Sequence, residues 1–176
     1  MKKELILIVD AQEKLFSHIQ DNEKLKNSLL KLVKGGILLD IDIIYTEQLP
    51  EKIGKTIPEL NIELEGIQKF EKSTFSCMMN KNISKYINNQ KYNKVFLAGI
   101  ETHICIYQTA FDLLKLNYDV EIIVDAVSSR NKLNHKNGIG RMSVDGAKLS
   151  TVEMMLFMNQ KKAEGPKFKN LIEIIK

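Results

Sequence analysis

The chain has no tryptophan, only three prolines, three histidines and two cysteines among its 176 residues. Each shortage removes a class of protein. Two thiols, Cys77 and Cys105, do not make a disulfide framework, and a chain of this length buries its core without one. Reduced thiols and a cytoplasmic location are therefore expected. The histidines, His18, His103 and His135, form no ligand spacing, so no metal and no cofactor are expected. Arginine is nearly missing too, with only Arg130 and Arg141. The planar forks that grip phosphate or guanine are scarce as a result. The lysines stand among acids, as in Lys2-Lys3-Glu4, and the net charge of +4 describes a mildly basic, solvated surface with no nucleic-acid partner. No apolar run is long enough for a bilayer: the segment after Met1-Lys2-Lys3 stops at Asp10, which predicts no leader and no membrane partner. Gly35-Gly36 and the Gly138, Gly140 pair do not sit between a strand and a helix start. A dinucleotide-type phosphate loop, and with it a nucleotide-binding flavodoxin-like domain, is disfavoured.

What remains is an ordinary globular composition, 44% hydrophobic and 27% charged, with no repeat or low-complexity segment. A single domain over residues 1–176 is expected. Residues 5–9 and 95–100 are continuous apolar runs, the mark of strands covered on both faces. Further strands are expected at residues 41–45, 67–70, 120–124 and 147–149. Helical spacing marks residues 23–38, 80–88, 106–116, 132–144, 151–158 and 167–175, with an N-cap expected at Ser128-Ser129. Residues 46–66, punctuated by Pro50, Gly54 and Pro58, read as one long irregular loop, which in a compact domain is usually functional. Strand and helix alternate throughout. The fold class that follows is α/β, a three-layer α/β/α sandwich around a mainly parallel, Rossmann-like sheet.

Open parallel sheets bind ligands at the carboxyl ends of their strands. Asp10 follows the first strand, Lys72 follows the strand at 67–70, and Cys105 lies in the first turn after the strand at 95–100. If these strands are neighbours, a carboxylate, an ammonium and a thiol converge. A helix N-terminus and a nearby cation both favour the thiolate, which predicts a lowered Cys105 pKa, although the Asp10 charge opposes them and Lys72 must offset it. A carboxylate within reach can take the thiol proton and return it to a leaving group. From spacing alone, a cysteine early in a helix is more often a buried structural residue.

The segments themselves resemble a known family. Asp10-Ala11-Gln12 is similar to the opening D-x-Q signature of isochorismatase-like hydrolases. Lys72-Ser73-Thr74-Phe75-Ser76 is similar to their K-x-x-F-S segment. Gly99-Ile100-Glu101-Thr102-His103-Ile104-Cys105-Ile106 is similar to G-x-E-T-x-x-C-V, with Ile106 for valine. Residues 46–60, with Asp125 to Arg130, Arg141-Met142 and Gly146-Ala147, resemble the isochorismatase-domain-containing subgroup. The resemblance covers residues 5 to about 160. It implies a cysteine hydrolase acting on a small amide, imide or related carbonyl compound, with Cys105 as nucleophile, Asp10 as general base and Lys72 as their partner. It also implies a cis peptide just before Glu101, with the Glu101 and Cys105 amides as the oxyanion hole. Nicotinamidases of the superfamily hold a metal on an acid and histidines after the second strand. Here that place reads Thr46-Glu47-Gln48, so a metal-assisted nicotinamidase is not expected.

Blander readings accompany these. His103 is a substrate-pocket candidate, although its side chain leaves the helical turn in another direction from that of Cys105. Gln12 and Phe16 either line the pocket or brace the loop after the first strand. Cys77 suits packing, and Met154, Met155 and Met158 suit the core or a subunit contact. A small-molecule substrate and a homo-oligomer are the expected partners. The rival function is a catalytically silent oligomeric scaffold on the same fold.

Overall fold

The computed structural model describes residues 3–176; Met1 and Lys2, where the short basic lead begins, lie outside them. In chain order the elements are β1 (Glu4–Val9), α1 (Glu13–Phe16), α2 (Asn22–Leu38), β2 (Asp42–Gln48), α3 (Pro50–Ile53), α4 (Pro58–Glu63), β3 (Gln68–Lys72) and α5 (Lys81–Gln90). They continue with β4 (Lys94–Ile100), α6 (Tyr107–Lys115), β5 (Asp119–Ser128), α7 (Lys132–Val144), β6 (Lys148–Ser150), α8 (Val152–Gln160) and α9 (Gly165–Ile175). The six strands form one sheet in the order β3-β2-β1-β4-β5-β6, and every neighbouring pair is parallel.

The continuous apolar runs have the expected cause. Side chains alternate across a strand, and both faces of β1 and β4 are covered. Ile6, Ile8, Phe96 and Ala98 pack with Leu25, Leu29 and Leu32 of α2, Leu156 of α8 and Leu171 of α9. Leu5, Leu7, Val9, Val95 and Leu97 pack on the other side with Ile83 and Ile87 of α5, Leu113 of α6 and Met142 of α7. The result is the α/β/α sandwich. No helix among the described residues is long and apolar enough to cross a membrane.

Three local expectations need correction. β2 runs on to Gln48 rather than ending at Tyr45. The stretch after it is not an irregular loop, because Pro50 and Pro58 each begin a short helix. Proline in the first helical turn gives up only an N–H that has no intrahelical partner there. Finally, α7 is capped not by Ser128-Ser129 but by Asn131, whose side chain accepts from the Leu133 and Asn134 amides.

The carboxyl edge is shaped where β1 meets β4. Gly99 has φ +111, and a Cβ there would stand 2.0 Å from the Val9 carbonyl oxygen, so only glycine lets the two strands approach. The Ile100–Glu101 peptide beyond it is cis. A π-helical turn, Thr102–Ile106, then carries Cys105 into α6.

Candidate active site

Asp10 leaves β1 with φ +50, a left-handed conformation that aspartate tolerates better than most residues. Its backbone N–H donates to the Thr46 carbonyl at 3.1 Å, and the Thr46 hydroxyl donates to its Oδ1 at 2.7 Å. Lys72, the last residue of β3, reaches across β2 and places Nζ 2.5 Å from Asp10 Oδ2. Both side chains are fully excluded from solvent. The ammonium also donates to Gln48 Oε1 at 3.0 Å, the Thr74 carbonyl at 3.0 Å and the Phe75 carbonyl at 3.2 Å. Cys105, 6% exposed, donates its S–H to the same Gln48 Oε1 at 3.4 Å. Asp10, Lys72 and Cys105 are thus brought together at the carboxyl edge of β1, β3 and β4, linked through Gln48 at the end of β2.

The electrostatics differ from the expectation. Burial pushes the Cys105 thiol well above its ordinary value, and the Asp10 charge pushes it the same way, with only Lys72 opposing. A helix start and a lysine suggested a poised thiolate. The ammonium, however, lies in contact with Asp10, and desolvation outweighs what is left of its field at sulfur. Burial also raises the Asp10 carboxyl, against the pull of Lys72 and the hydrogen bonds from Lys72, Thr46 and Cys105. The resting group is therefore a thiol beside an elevated carboxyl. Cys77, fully buried, is raised by burial to about 11.

Comparison with known proteins is consistent throughout. The family model described as the isochorismatase domain matches residues 4–154. The chain belongs to the isochorismatase family. Isochorismatase domain-containing protein 2A of Mus musculus is 35% identical over 173 residues, 98% of this chain and 82% of that one. Isochorismatase family protein 1A of Dictyostelium discoideum is 33% identical, covering 97% and 84%. Among solved structures, the MAR1 ribonuclease of Caenorhabditis elegans superposes with TM-score 0.92 at 32% identity, covering 99% and 90%. The YcaC gene product of Escherichia coli, described as an octameric hydrolase of unknown specificity, has TM-score 0.92 at 21% identity, covering 98% and 87%.

Within this family member, the remaining candidates take other places. Gln12 is fully buried and braces the backbone: Nε2 donates to the Gln48 carbonyl at 3.1 Å and to the Gly54 carbonyl, and Oε1 accepts from the Gln48 amide at 2.7 Å. Phe16 belongs to the core on the α2 face of the sheet. His103 pairs with Ser129 Oγ at 3.0 Å and lies 3.4 Å from Asn134 Nδ2. None of the three side chains hydrogen-bonds to Asp10, Lys72 or Cys105 among the described residues, although the Gln12 backbone N–H donates to the Asp10 carbonyl at 2.7 Å. The Glu101 carboxylate is engaged elsewhere, with Arg130 Nε at 2.9 Å and the Arg130 amide at 3.0 Å. Met155 is core, whereas Met154 and Met158 are exposed.

The nicotinamidase-type metal place does not fit a metal here. The Thr46 hydroxyl is on Asp10. The Glu47 oxygens take the Thr56 amide, the Thr56 hydroxyl and Lys69 at 2.8, 2.9 and 3.0 Å. Among the described residues, no three of His, Cys, Asp and Glu gather into a metal-sized cluster.

Sequence reasoning missed Thr46 and Gln48. Their signal was positional, because they end β2 at the same sheet edge as Asp10. With the strand read as stopping at Tyr45, that signal went unused.

Proposed function

We propose that this isochorismatase-family chain is a cysteine hydrolase of small amides, imides or related carbonyl compounds. The observation that supports it is a buried Asp10–Lys72 ion pair beside the Cys105 thiol at the carboxyl edge of the sheet. As Sγ attacks the carbonyl carbon, Asp10 takes the thiol proton. An elevated carboxyl suits this role, since its proton affinity lies nearer that of the thiol. Lys72 keeps Asp10 ionised until that moment. The carbonyl π pair moves onto oxygen, where the Glu101 and Cys105 amides receive the charge. Collapse breaks the carbon–nitrogen bond, Asp10 protonates the departing nitrogen, and a thioester remains. Asp10 then deprotonates water, which attacks the thioester, and the products are the carboxylic acid and the regenerated thiol.

A silent scaffold has no need of a buried ion pair beside a thiol, because such pairs are weak sources of stability. Ribonuclease is the description of one neighbour, but this site offers an RNA chain little. Its one cation is paired with Asp10, and Arg130 and Arg141 are paired with Glu101 and Asp145. Self-association belongs to the same proposal: Leu133, Leu149, Met154 and Met158 are exposed large apolar side chains on α7, β6 and α8, and light scattering reads the mass directly.

The deciding experiment is a screen of small amides and ureides, with release of ammonia or acid compared between the parent and Cys105→Ala. Turnover in the parent and none in the variant is expected. Equal turnover in both, or RNA cleavage that survives loss of the thiol, overturns the proposal.

A further inference from the structure

Gln48 offers a group that the mechanism above leaves unused. A lysine ammonium has donors and no acceptor, so the carboxamide atom 3.0 Å from Lys72 Nζ must be the oxygen. Turning the amide over would set an NH2 against an NH3+. The Cys105 S–H on the same oxygen at 3.4 Å holds the same orientation. The main chain beneath is fixed as well, since Gln12 bonds both the Gln48 amide and its carbonyl. The Nε2 end is thereby aimed away from the ion pair. Among the described residues it makes no hydrogen bond, yet no fully buried side-chain nitrogen or oxygen there lacks a partner. Nε2 therefore lies on the open side, joined through one carbon to the oxygen that the thiol touches.

A fixed donor with two unused N–H groups, beside a nucleophile, reads an acceptor on whatever the nucleophile attacks. We propose that Gln48 is a specificity-determining residue whose Nε2 donates to an acceptor flanking the carbon attacked by Cys105. It selects compounds that carry a second carbonyl next to the reacting one over plain alkyl amides. The donor is neutral, so it favours an uncharged acceptor and gives a carboxylate no charge to pair with. This deepens the hydrolase proposal and rests on Cys105 being its nucleophile.

The test needs no natural substrate. Iodoacetamide carries a carbonyl beside the carbon that sulfur attacks, and allyl bromide alkylates the same thiol with no acceptor at all. Rates at Cys105 and Cys77 are read separately by peptide mass spectrometry in the parent, Gln48→Met and Gln48→Glu. Glutamate keeps an oxygen for Lys72 but has no N–H, so it guards against loss of the fold in the methionine variant; a thermal melt monitors both. The expected result is that the iodoacetamide-to-allyl-bromide ratio at Cys105 falls about tenfold in both variants, the size of one lost hydrogen bond near the upper end of the usual range. A role confined to holding Lys72 would slow both reagents alike. An unchanged ratio in the variants, with Cys105 still outpacing Cys77, overturns the Gln48 assignment and leaves the hydrolase standing. If Cys105 reacts no faster than Cys77 in the parent, the hydrolase proposal falls, and this one with it.

Discussion

Replacing Lys72 by methionine removes the only cation among the described residues in contact with Asp10, a carboxylate with no solvent exposure. Burial already raises that carboxyl against Lys72; without the ammonium it rises further. Each pH unit by which the folded value exceeds the unfolded one of about 3.9 costs about 1.4 kcal/mol once the pH is above both, and the parent already bears part of this. Removing one partner of a buried pair costs about 3–5 kcal/mol, taken as about 4 kcal/mol at pH 7, and the loss shrinks as pH falls toward the unfolded value. The sign follows from the raised folded pKa: the stability contribution is complete below the unfolded value and is lost as pH rises through the folded one. At about 2–4 °C per kcal/mol for a chain of this size, the melting temperature of Lys72→Met should fall by about 8–16 °C at pH 7 and by less at pH 5. The double variant Asp10→Asn/Lys72→Met removes both charges and should recover most of the loss, because exchanging a buried pair for uncharged groups is often neutral or better. Denaturant melts of the parent, both single variants and the double at the two pH values check this. A deficit independent of pH, or a double variant as unstable as the two single losses added together, refutes the reasoning.

Asp10→Asn should move the alkylation profile of Cys105 to lower pH, since the Asp10 charge raises the thiol, while turnover is abolished; an unmoved profile removes Asp10 from contact with sulfur. Glu47 would be raised by burial, but the Thr56 amide and hydroxyl and Lys69 hold it below its ordinary value. Its contribution is complete above about pH 4.3 and is lost as pH falls through the lower folded value. Thr56→Val, which loses the 2.9 Å hydroxyl bond, should therefore cost about 1.5–3 kcal/mol at pH 7 in a urea titration, and a loss below about 0.5 kcal/mol counts against the bond. Gly99→Ala should lose more than about 3 kcal/mol through left-handed strain and the clash with Val9, seen as a collapse of soluble yield; a normal melt contradicts the close approach of β1 and β4.

The sheet was legible because both faces of β1 and β4 are covered, which writes itself into the chain as unbroken apolar runs. Asp10, Lys72 and Cys105 were legible for a different reason: Asp10 and Cys105 follow strands and Lys72 ends one, parallel strands deliver their carboxyl ends to one edge, and the motifs around all three resemble those of a known family. The end of β2 was hidden because Thr46, Glu47 and Gln48 are polar, and a polar triplet after an apolar run looks like exit to solvent. Thr46 and Glu47 are instead buried, at 1% exposure each, each polar group answered by a partner distant in sequence. Local pattern records hydrophobicity, whereas satisfaction by Asp10, Thr56 or Lys69 is a tertiary fact. Cys105 failed in the same direction, since the neighbours named by sequence spacing were correct but the depth that decides the sign of its shift was not visible.

The misread triplet also explains why the site holds its shape without a metal ligand set at that place. Asp10 and Gln12 stand two residues apart on the turn leaving β1, and both bond to β2. Asp10 takes the Thr46 hydroxyl, and Gln12 takes the Gln48 backbone on both its donor and acceptor sides. Gln12 further ties the Gly54 carbonyl beyond α3, so the turn after the first strand fixes the second at both Thr46 and Gln48. Lys72, from the third strand, then closes on Asp10 and Gln48 together. Three parallel strands are thereby locked at one edge by side chains that are each both structural and chemical. Such a network is stiff only while every member is satisfied. A polar change at Gln12 should consequently displace Gln48 before it loosens the core, and activity should fail ahead of stability.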